Sequence, residues 1–236
     1  MSAGTERSVL AVVGLSKEAR LAAGPGVVVV GAGGDPHRLR AALARQAPGA
    51  VRAVISFGIA GGLDPALLPG DVVVATGVRS DGERWDADPG IVACLRDRLE
   101  RSGLRITAAD LAGVDAAVLA VADKSALRGR TGAAAVDMES HVAAGFARAH
   151  GLPFAALRVV CDPADRALPA FVASALKPNG DPDILAVLRA LVRRRASPGD
   201  LMRLARDSGA AFRSLRRARA CLGAGLGVLS SAGPRA

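Results

Sequence analysis

The sequence predicts an α/β domain in three layers, a central mostly parallel mixed sheet with helices on both faces. Short aliphatic runs such as residues 26–31 alternate with segments of helical period. Strands that read as continuous apolar runs, with helices between them, belong to a sheet covered on both sides. Half of the 236 residues are hydrophobic but only 3% are aromatic, so the chain can bury a sizeable core and that core is aliphatic.

The elements follow in order. Residues 8–14 form a strand and 17–22 begin a helix. Residues 26–31 are a valine strand, followed by the Gly31-Ala32-Gly33-Gly34 turn and a helix over 36–46. A strand at 51–57 ends in a glycine turn over 58–62. The Pro69-Gly70 turn precedes a strand at 71–76. Helices are expected at 89–100 and 123–130, a strand at 133–138, a helix at 139–150 and a strand at 153–160. Pro169 interrupts a loop or short helix at 163–175, and Lys177-Pro178-Asn179-Gly180 is a turn. Two helices, 183–195 and 200–221, each start at an Asp near Pro or Gly. The expected organisation is a catalytic domain over 1–176, a basic helical extension over 177–222 and a frayed tail over 223–236.

Charge is unevenly placed. Between Arg189 and Arg219 ten arginines face two aspartates, a surplus of eight, while the whole chain carries +9. The rest is close to neutral. Leu201, Leu204, Phe212 and Leu215 can share one helix face beside these arginines, which suits either a membrane surface or a helix packed on the domain. Scarce aromatics and the lack of a binding motif argue against nucleic acid. The three cysteines lie far apart and show no metal-ligand spacing with the histidines, so no metal is expected and a reducing cytoplasm is. No apolar stretch has membrane-spanning length.

Two acidic segments stand out. Asp137-Met138-Glu139-Ser140 sits between a strand and a helix, and Val159-Val160-Cys161-Asp162 closes the next strand. Carboxylates at successive strand ends can share a pocket, because open α/β sheets place ligands at the strand carboxyl ends. One can hold vicinal hydroxyls while the other handles a proton. Gly58–Gly62 permits close backbone approach to a ligand. Glu18 follows the first strand near the same edge. Each feature also has a plain reading: a helix cap, a solvated first-turn acid, a turn without a ligand.

Taken together the segments resemble the nucleoside phosphorylase and nucleosidase superfamily. The matching pieces are Val13-Gly14 with Glu18, Gly31-Ala32-Gly33, 55–63, 70–74, 135–140 and 159–165. Within it the chain looks most like the phosphorylase-like proteins associated with hopanoid biosynthesis, through 136–143, 176–181 and the arginine-rich tail. The resemblance implies release of adenine from adenosylhopane. It implies that Met138 packs on the ribose, that Glu139 accepts hydrogen bonds from the ribose hydroxyls, and that Ala60, Gly61, Gly62 and Val136 line ribose and base. It further implies that Asp162 protonates or hydrogen-bonds the purine N7, and that Glu18 activates the attacking water. No cofactor is implied, with phosphate as the one co-substrate to weigh.

The family's hexameric phosphorylases carry an arginine two residues before the first glycine of the turn; here that place is Ser56. Hydrolysis is therefore favoured over phosphorolysis. The alternatives are a methylthioadenosine or S-adenosylhomocysteine nucleosidase, a purine nucleoside phosphorylase, and a non-enzymatic membrane-surface or nucleic-acid module using the basic tail. The expected partners are an adenosine-type small molecule, lipid-linked in the favoured reading, a second copy of the chain, and the inner face of the membrane through residues 183–222. Removing residues from 197 onward is then expected to impair the lipid substrate more than soluble methylthioadenosine, provided that the truncated protein still folds.

Overall fold

The computed structural model describes residues 7–169 and 197–228. Eight strands and six helices alternate along them. In chain order they are β1 (Ser8–Val13), α1 (Ser16–Ala22), β2 (Val27–Gly31), α2 (Pro36–Leu43), β3 (Val51–Gly62), β4 (Val72–Ser80), β5 (Glu83–Asp86) and α3 (Pro89–Glu100). Then come β6 (Ile106–Gly113), α4 (Val121–Thr131), β7 (Ala135–Asp137), α5 (Ser140–Ala149), β8 (Phe154–Asp162) and α6 (Pro198–Leu222). The expected loop end, turn and helix within 170–196 lie outside the described residues.

One mixed sheet holds all eight strands, in the order β2-β1-β3-β7-β6-β4-β5, with β8 paired to both β3 and β4. Strands β1, β2, β3 and β8 run parallel to one another, and β4, β6 and β7 run parallel among themselves. The two groups meet antiparallel at β3/β7 and at β4/β8. The pairings β3-β8-β4-β6-β7-β3 form a closed ring, so the long strand β3 has partners along its whole length.

Strand alternation divides the core in two. In β1, Leu10 and Val12 pack with Leu39 and Leu43 of α2 and with the alanines of α5. Val9, Ala11 and Val13 pack with Leu95 and Leu99 of α3 and with Ala211, Phe212 and Leu215 of α6. This is the period-two rule of strands applied to a sheet with helices on both faces. The helices start where the sequence offers caps. Asp35 accepts from the His37 and Arg38 amides before Pro36, and Asp88 accepts from the Ile91 amide before Pro89.

Several expectations change. The glycine segment 58–62 is not a turn but the second half of β3, held by β8 on one side and β7 on the other. Strands β5 and β6 escaped the sequence reading. β6 is rich in alanine and carries Asp110, which accepts hydrogen bonds from Thr76, Arg79 and Arg84. The hairpin β4–β5 turns at Asp81-Gly82, both in positive φ. Residues 223–228 are not frayed: a short 3-10 turn at Ala224–Gly227 buries Leu226, and the Gly225 amide donates to Pro25 O.

The basic helix α6 also differs from one of its two readings. Phe212 and Leu215 point into the domain and are buried, so they do not form a membrane-facing apolar surface. Arg203, Arg206, Arg213 and Arg217, spaced along one side, are exposed. Among the described residues no helix is long and apolar enough to cross a membrane.

Candidate active site

A cavity of about 200 Å³ opens where β3, β7 and β8 meet α1. Glu18, Ala60, Gly61, Val136, Met138, Glu139 and Asp162 all line it. Gly62 does not. A side chain there would press against the Asp162 carbonyl at 3.0 Å, so its role is to let β8 pass close behind the site.

The acids reach this cavity by a route the sequence did not show. β7 and β8 are not neighbours; each pairs with β3, and β7 runs against it. Asp162 and Glu139 therefore do not sit at the carboxyl ends of two parallel strands. They converge because β3 joins the two parallel groups. In β8 one extra residue, Cys161, faces the Ala60–Gly61 step, so the register passes from Ala60↔Val160 to Gly61↔Asp162. A bulge of this kind re-aims the side chain that follows it.

Glu18 is almost completely buried. Its Oε2 accepts from the amides of Gly14 and Leu15, each at 2.8 Å, and Oε1 accepts from the Ile59 amide at 2.7 Å. The first two are unpaired donors at the start of α1, which a first-turn acid satisfies. Burial still raises its pKa, against the lowering effect of Arg158 and the amides.

Arg158, in β8, is the residue the sequence reading missed. It is fully buried, with Nε 2.8 Å from Asp137 Oδ2 and Nη1 3.2 Å from Glu139 Oε2. Its Nη2 donates to Ser56 Oγ at 2.5 Å. Burial opposes its charge, but Asp137, Glu139 and Glu18 outweigh that and raise its pKa. An arginine inside an otherwise apolar strand is the signal that could have found it, since a buried guanidinium demands carboxylate partners. Gly58 makes the room: a Cβ there would lie 2.7 Å from Arg158 Nη1.

Asp137 is structural. Its Oδ1 accepts from the Glu139 and Ser140 amides at the start of α5, and its Oδ2 accepts from the Ser140 hydroxyl. Glu139 carries the strain of the cluster. Burial, then the Asp137 and Glu18 charges, outweigh Arg158 and push its pKa up to about 8. Three carboxyls meet one guanidinium, so the cluster retains a proton near neutral pH.

Asp162 faces a second cation. Lys124 Nζ, buried in α4, lies 2.5 Å from its Oδ2, and the Cys161 thiol donates to its Oδ1 at 3.0 Å. Burial, then the Asp162 charge, raises the Cys161 pKa well above the ordinary thiol value, so it stays a thiol. None of the cavity's lining side chains is aromatic among the described residues; Leu15, Ile59, Val114, Val118 and Leu168 supply an aliphatic wall. Among the described residues no cluster of His, Cys, Asp and Glu could hold a metal ion.

A larger cavity of about 560 Å³ lies elsewhere, between α2, α5 and the β4–β5 hairpin. Its polar rim is tied up in surface pairs such as Arg40–Asp115, so the chemistry is placed in the smaller one.

The fold matches known proteins. In solved structures the fold recurs in a 5′-methylthioadenosine/S-adenosylhomocysteine nucleosidase from Colwellia psychrerythraea 34H, in complex with adenine. The identity is 20%, the TM-score 0.61, and the match covers 68% of this chain and 84% of that one. Futalosine hydrolase of Helicobacter pylori strain 26695 is similar at 15% identity and TM-score 0.65, over 90% of this chain and 97% of the other. An S-adenosylhomocysteine nucleosidase from Streptococcus pyogenes, in complex with 5-methylthiotubericidin, matches at 18% identity and TM-score 0.62, over 86% and 98%. A comparison with curated protein sequences gives no match. One family description, Phosphorylase superfamily, matches residues 18–193, three quarters of the chain. With that match spanning most of the chain and the fold in agreement with it, the chain belongs to the phosphorylase superfamily.

Proposed function

We propose that this protein is a nucleosidase that cleaves the N-ribosidic bond of a 5′-substituted adenosine with water and releases adenine. The observation that carries the hydrolytic reading is the charge of the buried cluster. Arg158, the cation beside Glu18 and Glu139, meets three carboxyls, and with one of them holding a proton it still faces two carboxylates. A phosphate dianion would enter a site with surplus negative charge, at a steep cost in a low-dielectric interior. Ser56, at the place of the phosphorylases' arginine, is spent on Arg158.

Water fits the same site. Glu18 takes a proton as the water oxygen attacks C1′, and the bond electrons leave with the purine. Glu139, beside Met138, accepts hydrogen bonds from the ribose hydroxyls, and Asp162 faces the base and delivers its proton. The purine, lacking an aromatic partner, packs between aliphatic side chains such as Ile59 and Val136. The developing positive charge on the sugar lies against carboxylates, which is where electrostatic stabilisation is useful.

For the 5′ substituent the favoured group is an apolar polycycle, as in adenosylhopane, supported by the aliphatic wall and by the sequence likeness stated above. A lipid-linked substrate places the protein at a membrane surface. The contact is then electrostatic, through the outward arginines of α6, and not an apolar insertion. The second reading, a methylthioadenosine or S-adenosylhomocysteine nucleosidase, uses the same residues and is supported by the activity named for two of the similar structures.

The test is incubation with adenosylhopane, methylthioadenosine and S-adenosylhomocysteine, with and without phosphate, followed by identification of adenine and of the sugar product. Free ribose at the anomeric carbon, independent of phosphate, is expected. A phosphate-dependent reaction yielding a ribose 1-phosphate overturns hydrolysis. No adenine from any of the compounds overturns the nucleosidase reading.

A further inference from the structure

The sequence reading gave Asp162 the task of protonating the purine and named no partner for it. The structure supplies one. Lys124 lies in the second turn of α4, on the side that faces the cavity wall, and its side chain is only 1% exposed. An ammonium carries three protons and cannot be left with any of them unpaired in an interior. Here all three are placed: one on Asp162 Oδ2 at 2.5 Å, one on Pro163 O at 2.9 Å and one on Arg166 O at 2.9 Å.

Two of these contacts clasp the loop that follows β8. Neutral donors could do that at less cost, since burying an ion pair seldom gains stability over an apolar pair of similar volume. The third contact is different, because it falls on Asp162, which lines the cavity and to which the proposed function assigns the base. Both oxygens of Asp162 thus accept hydrogen bonds, from Lys124 and from the Cys161 thiol. An acid so engaged on both oxygens needs a neighbour that can supply the proton the purine takes, and Lys124 Nζ is the nearest such group.

We propose that Lys124 is the positioning residue that makes Asp162 a proton donor: the Lys124–Asp162 pair holds the proton that the leaving purine takes. As the C1′–N9 bond breaks, its electron pair passes into the purine. A proton moves from Nζ to the Asp162 carboxyl and from the carboxyl to the purine, leaving Nζ a neutral amine. Solvent returns the proton when the product departs. Water supplies the hydroxyl on C1′ and loses its proton to Glu18, so the turnover balances as one water consumed. The ammonium has a second effect. It cancels the Asp162 charge, which would otherwise repel the electron-rich base as it leaves.

The inference rests on the adenine-releasing reading, and its test separates the two. Turnover is measured on a 5′-substituted adenosine and on 4-nitrophenyl riboside, whose leaving group departs without a proton. Lys124→Met should lower kcat for adenine release by about 10²-fold, with KM within about threefold, as expected of a lost acid. Its rate on the nitrophenyl riboside should stay within about threefold of wild type, since no proton is needed there. Lys124→Gln keeps donors for the Pro163 and Arg166 carbonyls, so it preserves the clasp and should show the same split. Combined with Asp162→Asn, either variant should add less than about a twofold loss, because both residues act on one proton. Equal losses on both substrates, additive losses with Asp162→Asn, or an unchanged kcat for adenine release would overturn the proposal. Wild-type protein that releases no adenine overturns both this inference and the reading beneath it.

Discussion

Arg158 reaches Ser56 across the paired strands β8 and β3, Nη2 to Oγ 2.5 Å, and with Asp137 and Glu139 beside it the guanidinium is wholly occupied inside the protein. The guanidinium is thus an internal counter-ion. Replacing it by leucine leaves Asp137 and Glu139 buried without a cation. Breaking a buried pair by removing one partner costs about 3–5 kcal/mol. Arg158→Leu should therefore unfold at much lower urea than wild type. Arg158→Lys should recover only part of that loss, because an ammonium cannot reach two carboxylates and a hydroxyl with a fixed fork.

Gly58 is the second test of the same cluster. A methyl group at its Cα would sit 2.7 Å from Arg158 Nη1. The guanidinium is pinned by Asp137 and Ser56 and has nowhere to move. Gly58→Ala should reduce adenine release by about tenfold or more, in line with the sensitivity of catalysis to small displacements. The midpoint of thermal unfolding should fall with it. A variant with wild-type turnover would show that Glu18 and Arg158 tolerate separation.

Glu139 should make stability depend on pH in a defined direction. Its carboxyl loses a proton at about 8 in the folded protein, against an ordinary value of 4.5. Between those limits the folded state holds a proton that the unfolded chain has lost, so stability falls as pH rises through this window. Glu139→Gln removes the group that titrates. The wild-type melting temperature should drop from pH 5 to pH 8 by more than that of Glu139→Gln; each kcal/mol is worth about 2–4 °C in a chain of this size. Parallel pH curves for the two proteins would place the retained proton elsewhere.

Asp162→Asn tests the acid directly. Turnover should fall by about 10²-fold or more, while an isosteric amide leaves the cavity's shape intact. Near-normal adenine release by this variant would remove Asp162 from the mechanism, whatever becomes of the sugar site.

The outward arginines of α6 make a separate prediction about surfaces. Flotation with vesicles rich in anionic lipid should capture the protein at low salt and release it at about 0.5 M salt, where screening is short-ranged. Capture that survives high salt would require an apolar contact that Phe212 and Leu215, buried in the domain, cannot supply.

The sequence made the sheet and its helices legible where the residues have one physical meaning. Runs such as Val27–Gly31 in β2 leave no polar face, and Asp88-Pro89 announces a helix start. It also made the carboxyls legible, because Glu139 and Asp162 end apolar segments. What it withheld was relative direction. Nothing local in Ala135–Asp137 says that this short strand runs against β3, since pairing is a property of two segments. The two cations were hidden for a related reason. Lys124 looks like an ordinary surface charge until the fold places Asp162 opposite it, while Arg158, set in an apolar strand, betrays its burial but not its carboxylate partners. Strand β5 was within reach, as Asp81-Gly82 is a strong hairpin signal; β6, with its alanines, was not.

The C-terminal turn at Ala224–Gly227 has a consequence for how such experiments can be built. Leu226 is part of the same buried layer as Val9 and Ala11, and the Cys94 thiol and Arg98 donate to carbonyls at Gly227 and Leu222. The helix before it covers the same face with Ala211, Phe212 and Leu215. A protein cut at 197 would thus uncover the first strand and its buried layer and lose stability, rather than report on lipid. Substrate preference has to be dissected by exchanging single exposed arginines, with the polypeptide left long enough to close over its beginning.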